Sequence, residues 1–369
     1  MLGIIPRCPL VRCVPHCSAP GYTGHFLPLC CVYTLIATPW RHPTYCYPPM
    51  GLFFLKRFVT LIATLIGASI VVFLVLEILP GNAAEMLMGP DAAPDAVAAL
   101  ATKLGLDQPS GLRYWQWVSG LVVGDMGNSY AYSSPVLDLV LERMALTVPL
   151  ALMAMAITTV LALAAGVYAA SRHNKLGDVG MMGLAQIGIA IPNFWFAILL
   201  ILLFSVKLQW FSAGGFPGWT EEQGGGPLEA IKALLLPAIA LAVVQAAILA
   251  RITRSAVLEV LREDFVRTAR AKGLSERAAL WGHVLRNAMI PVITVMGLQF
   301  ANLLAGTIVV ENVFYLPGLG RLIFQSISNR DLIVVRNCVM LLAAMVVIVN
   351  FVVDILYAVI DPRVKASDI

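Results

Sequence analysis

Charge is what this chain has least of. Asp, Glu, Lys and Arg make up 12% of its 369 residues, about half the share found in an ordinary soluble domain. The apolar residues reach 59% and the mean hydropathy is +0.84. No soluble fold hides such a surplus, which excludes a cytosolic globular enzyme, and a disordered chain lacks it altogether. A net charge of +4, thinly spread, excludes a nucleic-acid binder of the basic-patch kind. The sequence has no G-x4-G-K-[S/T] run, so it has no loop of its own to cradle nucleotide phosphates. It has no H-E-x-x-H, and only His173 and His283 follow Met50. An intramembrane hydrolase needs a Ser with a His, or two Asp, facing each other at depth, and the apolar segments supply neither. What remains is an all-α, polytopic membrane protein with no catalytic or metal site.

The first fifty residues lack acids entirely, and the first acidic residue is Glu77. They hold six of the seven cysteines (Cys8, Cys13, Cys17, Cys30, Cys31, Cys46), nine of the 22 prolines and three of the five histidines. The cysteine spacings do not pair as zinc ligands do. The run Phe26–Thr38 is broken by Pro28 and is too short to span a bilayer, though it has the length of a secretory h-region. The reading adopted is that residues 1–49 are an over-extended prefix and that the functional chain starts at Met50, just before Lys56-Arg57 and a long apolar helix.

Six segments are long and apolar enough to cross a membrane, which takes about 20 residues: Phe58–Leu79, Ala145–Ala170, Val179–Val206 with Pro192 near its middle, Ala233–Ala250, Ala288–Val310 and Asn337–Ile360. Fourteen Lys and Arg after Met50 fall on one side of these spans and eight on the other. Basic residues stay inside, so both termini are expected in the cytoplasm. The long outer segment 80–144 carries seven acids against three bases. Within it Pro94–Gly105 reads as a short helix, and Trp115 and Trp117 suit the membrane interface. Gln209–Gly226, rich in Gly and Trp, reads as loop.

The spans hold few polar residues, and these fall at helical spacings. Gln186 and Asn193 are seven apart, Gln299 and Asn302 three apart, Asn350 and Asp354 four apart. Such spacings share a helix face, and polar groups in lipid face a bundle interior or a pathway. The alternative for each is a hydrogen bond between helices. Gly297, Ala301 and Ala305 form a small-residue packing stripe, and Asp354 is expected to pair with an Arg of a neighbouring loop.

The segment 251–286 between the fourth and fifth spans is the most informative. Apolar periodicity runs out of the span through Val257, Val260 and Leu261 to Phe265 and Ala269. Gly273 follows a basic turn, as a helix C-terminus prefers, and Ser275-Glu276 opens a second helix. The segment is thus a basic helical hairpin with its corner at Lys272–Ser275. It either lies on anionic lipid or presents a rigid knob to a partner. A packed Gly corner and an exposed Phe265 favour the knob.

The runs Phe265-Val266-Arg267-Thr268-Ala269-Arg270-Ala271-Lys272-Gly273-Leu274-Ser275 and Leu285-Arg286-Asn287-Ala288-Met289-Ile290-Pro291 resemble the permease signature of binding-protein-dependent ABC importers, in its dipeptide/oligopeptide/nickel form. The general signature has Glu-Ala-Ala six residues before the Gly, where this chain has Arg267, Thr268 and Ala269, and it reaches its Pro sooner. Both departures are usual in the peptide-type subfamily. Leu79-Pro80-Gly81-Asn82, Gly124–Ser129, Glu311-Asn312-Val313-Phe314, Pro317-Gly318-Leu319-Gly320 and Asp361-Pro362-Arg363 agree with it, and the resemblance covers about residues 50–366.

It implies a six-helix type I ABC importer permease bundle: a first span plus long outer loop over 50–144, a core over 145–360 and a cytoplasmic tail over 361–369. It implies an inner-membrane location, a second homologous permease subunit, two ATPase subunits that bind ATP and Mg, and an outer solute-binding protein. Peptide is the implied cargo, and the chain itself holds no cofactor. Arg267–Ser275 is the implied ATPase-coupling element. Gln186, Asn193, Gln299 and Asn302 are candidates to line the pathway, and the outer segment with the Pro317–Gly320 turn to meet the binding protein. An importer of nickel or another small solute stays open as the alternative. An ion-coupled secondary carrier is more distant, because no acid sits mid-span. The topology predicts that a reporter active only outside the cytoplasm gives signal when fused near Gln108 or Gly224 and none after Lys175 or Ser275. Signal at Ser275 would reverse the orientation.

Overall fold

The computed structural model describes residues 50–78, 88, 93–103 and 107–360, with the side chains of 50–53, 100 and 357–360 excepted. The prefix 1–49, the Leu79–Asn82 motif and the tail 361–369, with the expectations attached to them, lie outside the described residues. Lipid offers no partner to a backbone N–H or C=O, so a spanning chain must satisfy its backbone within helices or a closed barrel. The described residues take the first route. They form α1 (Met50–Ile78), α2 (Pro94–Lys103), α3 (Ser110–Val123), α4 (Val136–Ser171), α5 (Leu176–Ala190), α6 (Asn193–Leu200), α7 (Pro227–Leu261), α8 (Asp264–Ala271), α9 (Glu276–Ala279), α10 (Leu285–Val313), α11 (Leu319–Ser328) and α12 (Leu332–Ile360). Wider π-helical turns continue α6 over Ile201–Lys207 and join α9 to α10 over Leu280–Val284.

Among the described residues five helical stretches are long and apolar enough to span a membrane: Phe54–Ile78, Val136–Ser171, Pro227–Leu261, Glu276–Val313 and Leu332–Leu356. The expected third span is not one straight helix. It breaks between Ala190 and Asn193, and its halves are bent by 101°. Pro192 causes the break: it offers no N–H to the preceding turn, and its ring drives the residue before it out of the helical region. Ile191 is accordingly extended, with φ −85° and ψ 123°. The broken helix still crosses the bundle. The loop after it reaches the end of α10, where the Gly215 N–H donates to the Phe314 carbonyl at 2.9 Å.

The contacts fix the order of directions. The Thr158 hydroxyl meets the Ala242 carbonyl, and Gly166 meets Ala250 and Thr253, so α4 and α7 run parallel. Asp178 pairs with Arg254 and Gly188 packs on Ala247, so α5 runs against α7. Gln299 bonds to Gln245, Gly297 packs on Val353, and Arg57 pairs with Asp354 at 3.2 Å. Each of these adjoining pairs is antiparallel, and both the start of α1 and the end of α12 lie at the end of the bundle that carries α8 and α9. Asp354 thus has the structural ion pair expected of it.

Of the long apolar helices α7 is the most buried, with 67% of its most apolar stretch inside the chain. Its core face is largely alanine: Ala238, Ala240, Ala242, Ala246, Ala247 and Ala250 are all buried. Small side chains let neighbouring backbones approach closely, which is how helices pack when lipid offers no contrast in hydrophobicity. Around α7, Leu146, Leu150, Leu200, Leu234, Leu303, Val310 and Phe314 form one cluster toward the end opposite the hairpin. Val167, Leu249, Val257, Val266, Val284 and Val292 form another at the hairpin end. A third, of Val136, Val140, Leu319, Leu322, Ile323, Val334 and Cys338, joins α4 to α11 and α12.

The long loop before α4 contains more helix than expected. Its α2 matches the expected element, but α3 was read as interface. Trp115 is exposed there as expected, whereas Trp117 is buried. Its indole N–H donates to Asn337 at 2.8 Å, its ring stacks on Phe73, and the Arg336 guanidinium lies over it. Trp117 therefore ties α3 to α1 and α12.

The close approach of α4 to α7 is at Gly166. A Cβ there would lie 2.6 Å from Thr253 Cβ and 2.8 Å from the Ala250 carbonyl oxygen. Gly166→Leu is expected to force α4 off α7 and destabilise the protein by about 2 kcal/mol or more. It would show as a lower aggregation temperature in detergent, while Gly67→Leu, on an open face of α1, leaves that temperature unchanged.

Candidate functional site

The hairpin is built from two capping motifs. α7 stops at Leu261, the chain turns at Arg262-Glu263, and α8 begins at Asp264, so the periodicity does not run straight through as the sequence suggested. α8 ends in a Schellman motif: the Gly273 N–H donates to the Arg270 carbonyl at 2.9 Å, and the Leu274 N–H to the Ala269 carbonyl at 3.3 Å. Gly273 has φ +95°, a left-handed conformation that strains any residue carrying a Cβ. The corner is not packed, contrary to expectation, since nothing lies within 4 Å of a Cβ built there. Its glycine is required by backbone conformation alone. Ser275 then caps α9, accepting from the Ala278 N–H at 3.3 Å. Arg270 on α8 pairs with Glu276 on α9, which closes the hairpin across its corner.

One face of the hairpin is anchored and the other is free. Val266 and Val284 are buried in the cluster under it, and Ala279 is buried as well. The buried residue of α8 is Val266, and Phe265 is exposed as expected. Phe265 points outward, 43% exposed, with Leu274 and Trp281 also exposed. Arg267, Thr268, Arg270, Ala271, Lys272, Gly273, Leu274 and Ser275 are exposed, and Ala269 is half-buried. All nine residues singled out in the sequence therefore sit on one short, rigid projection.

Directly beneath the hairpin lies a clamp that the sequence did not reveal. The buried carboxylate of Asp178 accepts from Arg254 Nε at 2.6 Å and Nη2 at 2.7 Å and from the Asn174 N–H at 3.0 Å. His173 Nδ1 lies 3.5 Å away. A two-pronged guanidinium–carboxylate contact of this kind fixes orientation as well as distance. It holds the turn between α4 and α5 against the last turns of α7, the helix that carries the hairpin. The only sequence signal was an isolated acid at the edge of an apolar run.

The four polar residues proposed for a pathway do not share one surface. Gln186 and Asn193 stand on opposite sides of the 101° break, so their spacing of seven places them on no common face. Gln186 is exposed and accepts from Arg251 at 2.5 Å. Asn193 is half-buried with its amide beside Gly306 of α10. Gln299 is buried and donates to the Gln245 carbonyl at 3.1 Å, the helix-to-helix role rather than an open one. Asn302 is exposed, on a stripe of α10 that also bears Leu298, Ala305 and Val309. The small-residue stripe splits accordingly, with Gly297 packed against Val353 and Ala305 on the open side.

At the opposite end, two more buried carboxylates hold loops in place. Glu311, beyond the expected end of its span, accepts from the Thr147 hydroxyl at 2.6 Å and from the Gly320 and Arg321 N–H groups at 2.7 and 3.3 Å. It caps α11, so Gly318-Leu319-Gly320 is buried and offers no outer surface. Tyr315 beside it is exposed, under the Arg321 guanidinium. Asp331 accepts from the Ser129 hydroxyl at 2.6 Å and from the Tyr130 and Ala131 N–H groups. Among the described residues no group of three or more His, Cys, Asp or Glu converges as metal ligands would.

Two protein families together match most of this chain. Residues 162–366 match the family described as the inner membrane component of binding-protein-dependent transport systems, and residues 50–151 match the N-terminal family of such membrane components. A Brucella abortus protein provisionally named a peptide transport system permease is 42% identical over 311 residues, 84% of this chain and 98% of its own. A dipeptide transport system permease of Alkalihalophilus pseudofirmus is 37% identical over 327 residues, with the same two coverages. A glutathione transport system permease of Escherichia coli is 40% identical over 311 residues, again covering 84% and 98%.

Arg254→Ala would leave the Asp178 carboxylate buried without its counter-charge. Breaking such a pair costs about 3 kcal/mol or more, whereas replacing both partners by apolar groups costs far less. Arg254→Ala is therefore expected to lower thermal stability in detergent, and Asp178→Leu combined with Arg254→Met to restore most of it. Equal losses in the two variants would show that the clamp does not act as a pair.

Proposed function

The chain belongs to the family of binding-protein-dependent transport system inner membrane components, and from that premise we propose that it is a permease subunit of an ATP-driven importer whose hairpin, Arg267–Ser275, couples it to an ATPase. The single observation that carries the coupling role is the hairpin's geometry. A knob capped on both sides of Gly273 and closed by Arg270–Glu276 is anchored by Val266 and Val284 while Phe265 and Leu274 stay exposed. An exposed aromatic beside several Arg is the composition that protein interfaces favour.

The partners are a second permease of similar build, two ATPase subunits that bind ATP and Mg, and a binding protein on the outer side. The basic asymmetry of the loops assigns the hairpin, the start of α1 and the end of α12 to the cytoplasm. The functional unit begins near residue 50, with the first span and outer loop over 50–144 and the core over 145–360. The exposed Gln186 and Asn302 and the half-buried Asn193 are retained as residues facing the pathway, and Gln299 is reassigned to helix packing. Peptide is the cargo, since the relatives named above carry peptide, dipeptide or glutathione in their names. ATP bound by the partners can shift the spans only through a difference in its affinity for the two arrangements. The hairpin is the rigid contact that passes this difference on.

Gly273→Arg is expected to leave insertion intact, because the corner is exposed and outside the apolar segments, while abolishing transport and co-purification with the ATPases. Gly273→Ala, strained by about 1 kcal/mol or more, should weaken coupling measurably. If the hairpin merely lay on anionic lipid, transport would fall in steps as each Arg or Lys was removed and Gly273→Ala would change nothing. Normal transport by Gly273→Arg at normal abundance would remove the basis of this assignment.

A further inference from the structure

Between α4, α5 and α7 lies an open apolar slot of about 560 Å³, within the size range of small-molecule sites. Its floor is α7, at the buried Ala247 and Ala250. Its rim is bulky, with Leu161 and Tyr168 on α4 and Met181 and Leu184 on α5. From Leu161 to Tyr168 it follows α4 for about 10 Å.

One end of the slot is closed and charged. There α4 and α5 are joined by the short turn Arg172–Lys175. The Tyr168 hydroxyl rests on the first turn of α5, where a Cβ at Gly177 would lie 3.0 Å from it. A ring in the apolar slot with its hydroxyl at the end is the placement that tyrosine takes at a membrane interface. Arg172 follows Tyr168 by four residues and so continues the lining stripe of α4 toward the turn. Arg172 and Lys175 are exposed, and among the described residues neither side chain has an ion pair or hydrogen bond. The acid at this end is already engaged, since Asp178 is held by Arg254 with His173 beside it.

An occupant of this slot has to be apolar along its length and anionic at one end. Another transmembrane helix does not fit. A cylinder about 10 Å across fills about 800 Å³ over the same length, and the turn between α4 and α5 blocks its way at the charged end. The unbranched chain of a lipid is far slimmer. Long Lys and Arg side chains at the end of a span extend to headgroup level, where they attract anionic lipid.

We propose that the α4–α5–α7 slot binds one anionic phospholipid, with an acyl chain along Ala247 and Ala250 and the phosphate held by Arg172 and Lys175. The lipid joins all three helices and braces the turn that the Asp178–Arg254 clamp holds from inside. The proposal needs only that these helices span a membrane, and it is independent of cargo and of the hairpin's coupling role.

The test uses the chain in complex with its second permease and ATPases, purified in detergent and stripped of lipid. Phosphatidylglycerol carrying a photoactivatable group in one acyl chain is titrated in, and labelling of the α4–α5 segment is followed by peptide mapping. Arg172→Gln combined with Lys175→Gln is expected to raise the half-saturating concentration about tenfold or more, at about fivefold for each cation lost. Phosphatidylcholine with the same chains should label more weakly and be insensitive to that change. Ala164→Phe, which plugs the slot from an exposed wall position, should reduce labelling by both lipids, and glycerol phosphate should not compete. The Arg172 and Lys175 substitutions lie outside the apolar segments and carry the test if Ala164→Phe does not fold. Arg262→Gln with Arg277→Gln removes the same charge elsewhere at that end, and an equal shift from it would reduce the site to diffuse attraction and overturn the proposal. Competition by glycerol phosphate would also overturn it, as would equal labelling by the two lipids or an unchanged titration after loss of Arg172 and Lys175. Labelling of the chain alone that disappears in the complex would make the slot a subunit interface, with the same result.

Discussion

The contact of α4 with α7 is the constraint on which the rest of the bundle depends. In water, two apolar helices come together because both escape the solvent. In lipid that drive is gone, and association rests on how closely the backbones fit. Gly166 against Ala250 and Thr253 is the tightest point of that fit. The alanine faces of α7 extend the principle to its other neighbours, so that α5, α6 and α10 pack around the same axis. A helix lined with leucine at those positions would hold its neighbours further off, and the polar contacts between helices would lose their geometry.

Those polar contacts follow one pattern. Charges are few, and three carboxylates among the described residues are buried, each met by at least one backbone N–H together with a side-chain donor. Asp178 has Asn174 and Arg254, Glu311 has Gly320 and Thr147, and Asp331 has Tyr130 and Ser129. Burying an acid without such partners would be prohibitive. With them, each acid becomes a staple that closes a loop onto the bundle. The loops at both ends are thereby held without the hydrophobic cover they would need in a larger soluble protein.

Much of this was legible beforehand, and the pattern of what was not is physical. Apolar runs of sufficient length announced the spans, and Gly273 with Ser275 announced the two ends of the hairpin corner, because both signals are local. The break at Ile191-Pro192 was underestimated, since a proline inside a span can either kink it or end it, and neighbouring helices decide which. The exposure of Phe265 was anticipated, but the burial of Val266 beside it depends on where the turn at Arg262-Glu263 restarts the helix. Trp117 has the composition of an interface residue, yet Asn337, more than two hundred positions away, claims its N–H. The staples were invisible for the same reason: an isolated Asp or Glu has no signature until its donors arrive from elsewhere in the chain. Gln299 looked like Gln186 and Asn302 in sequence, and only burial separates them.

The helix that bears the hairpin and the helix beside it differ in stiffness. Over its 35 residues α7 continues through Pro237 without a break from one end of the bundle to the other, a shaft about 50 Å long. A tilt of about 5° at the hairpin would move the far end of such a shaft by about 4 Å. The neighbouring crossing contains a joint at Ile191-Pro192, where no backbone ladder carries load across the bend. Torque entering through the hairpin would therefore travel along the shaft and be absorbed at the joint, so that α5 and α6 need not turn together. A long lever beside a jointed neighbour would act as a gearing element, turning a small push at one surface into unequal displacements of the helices that flank it.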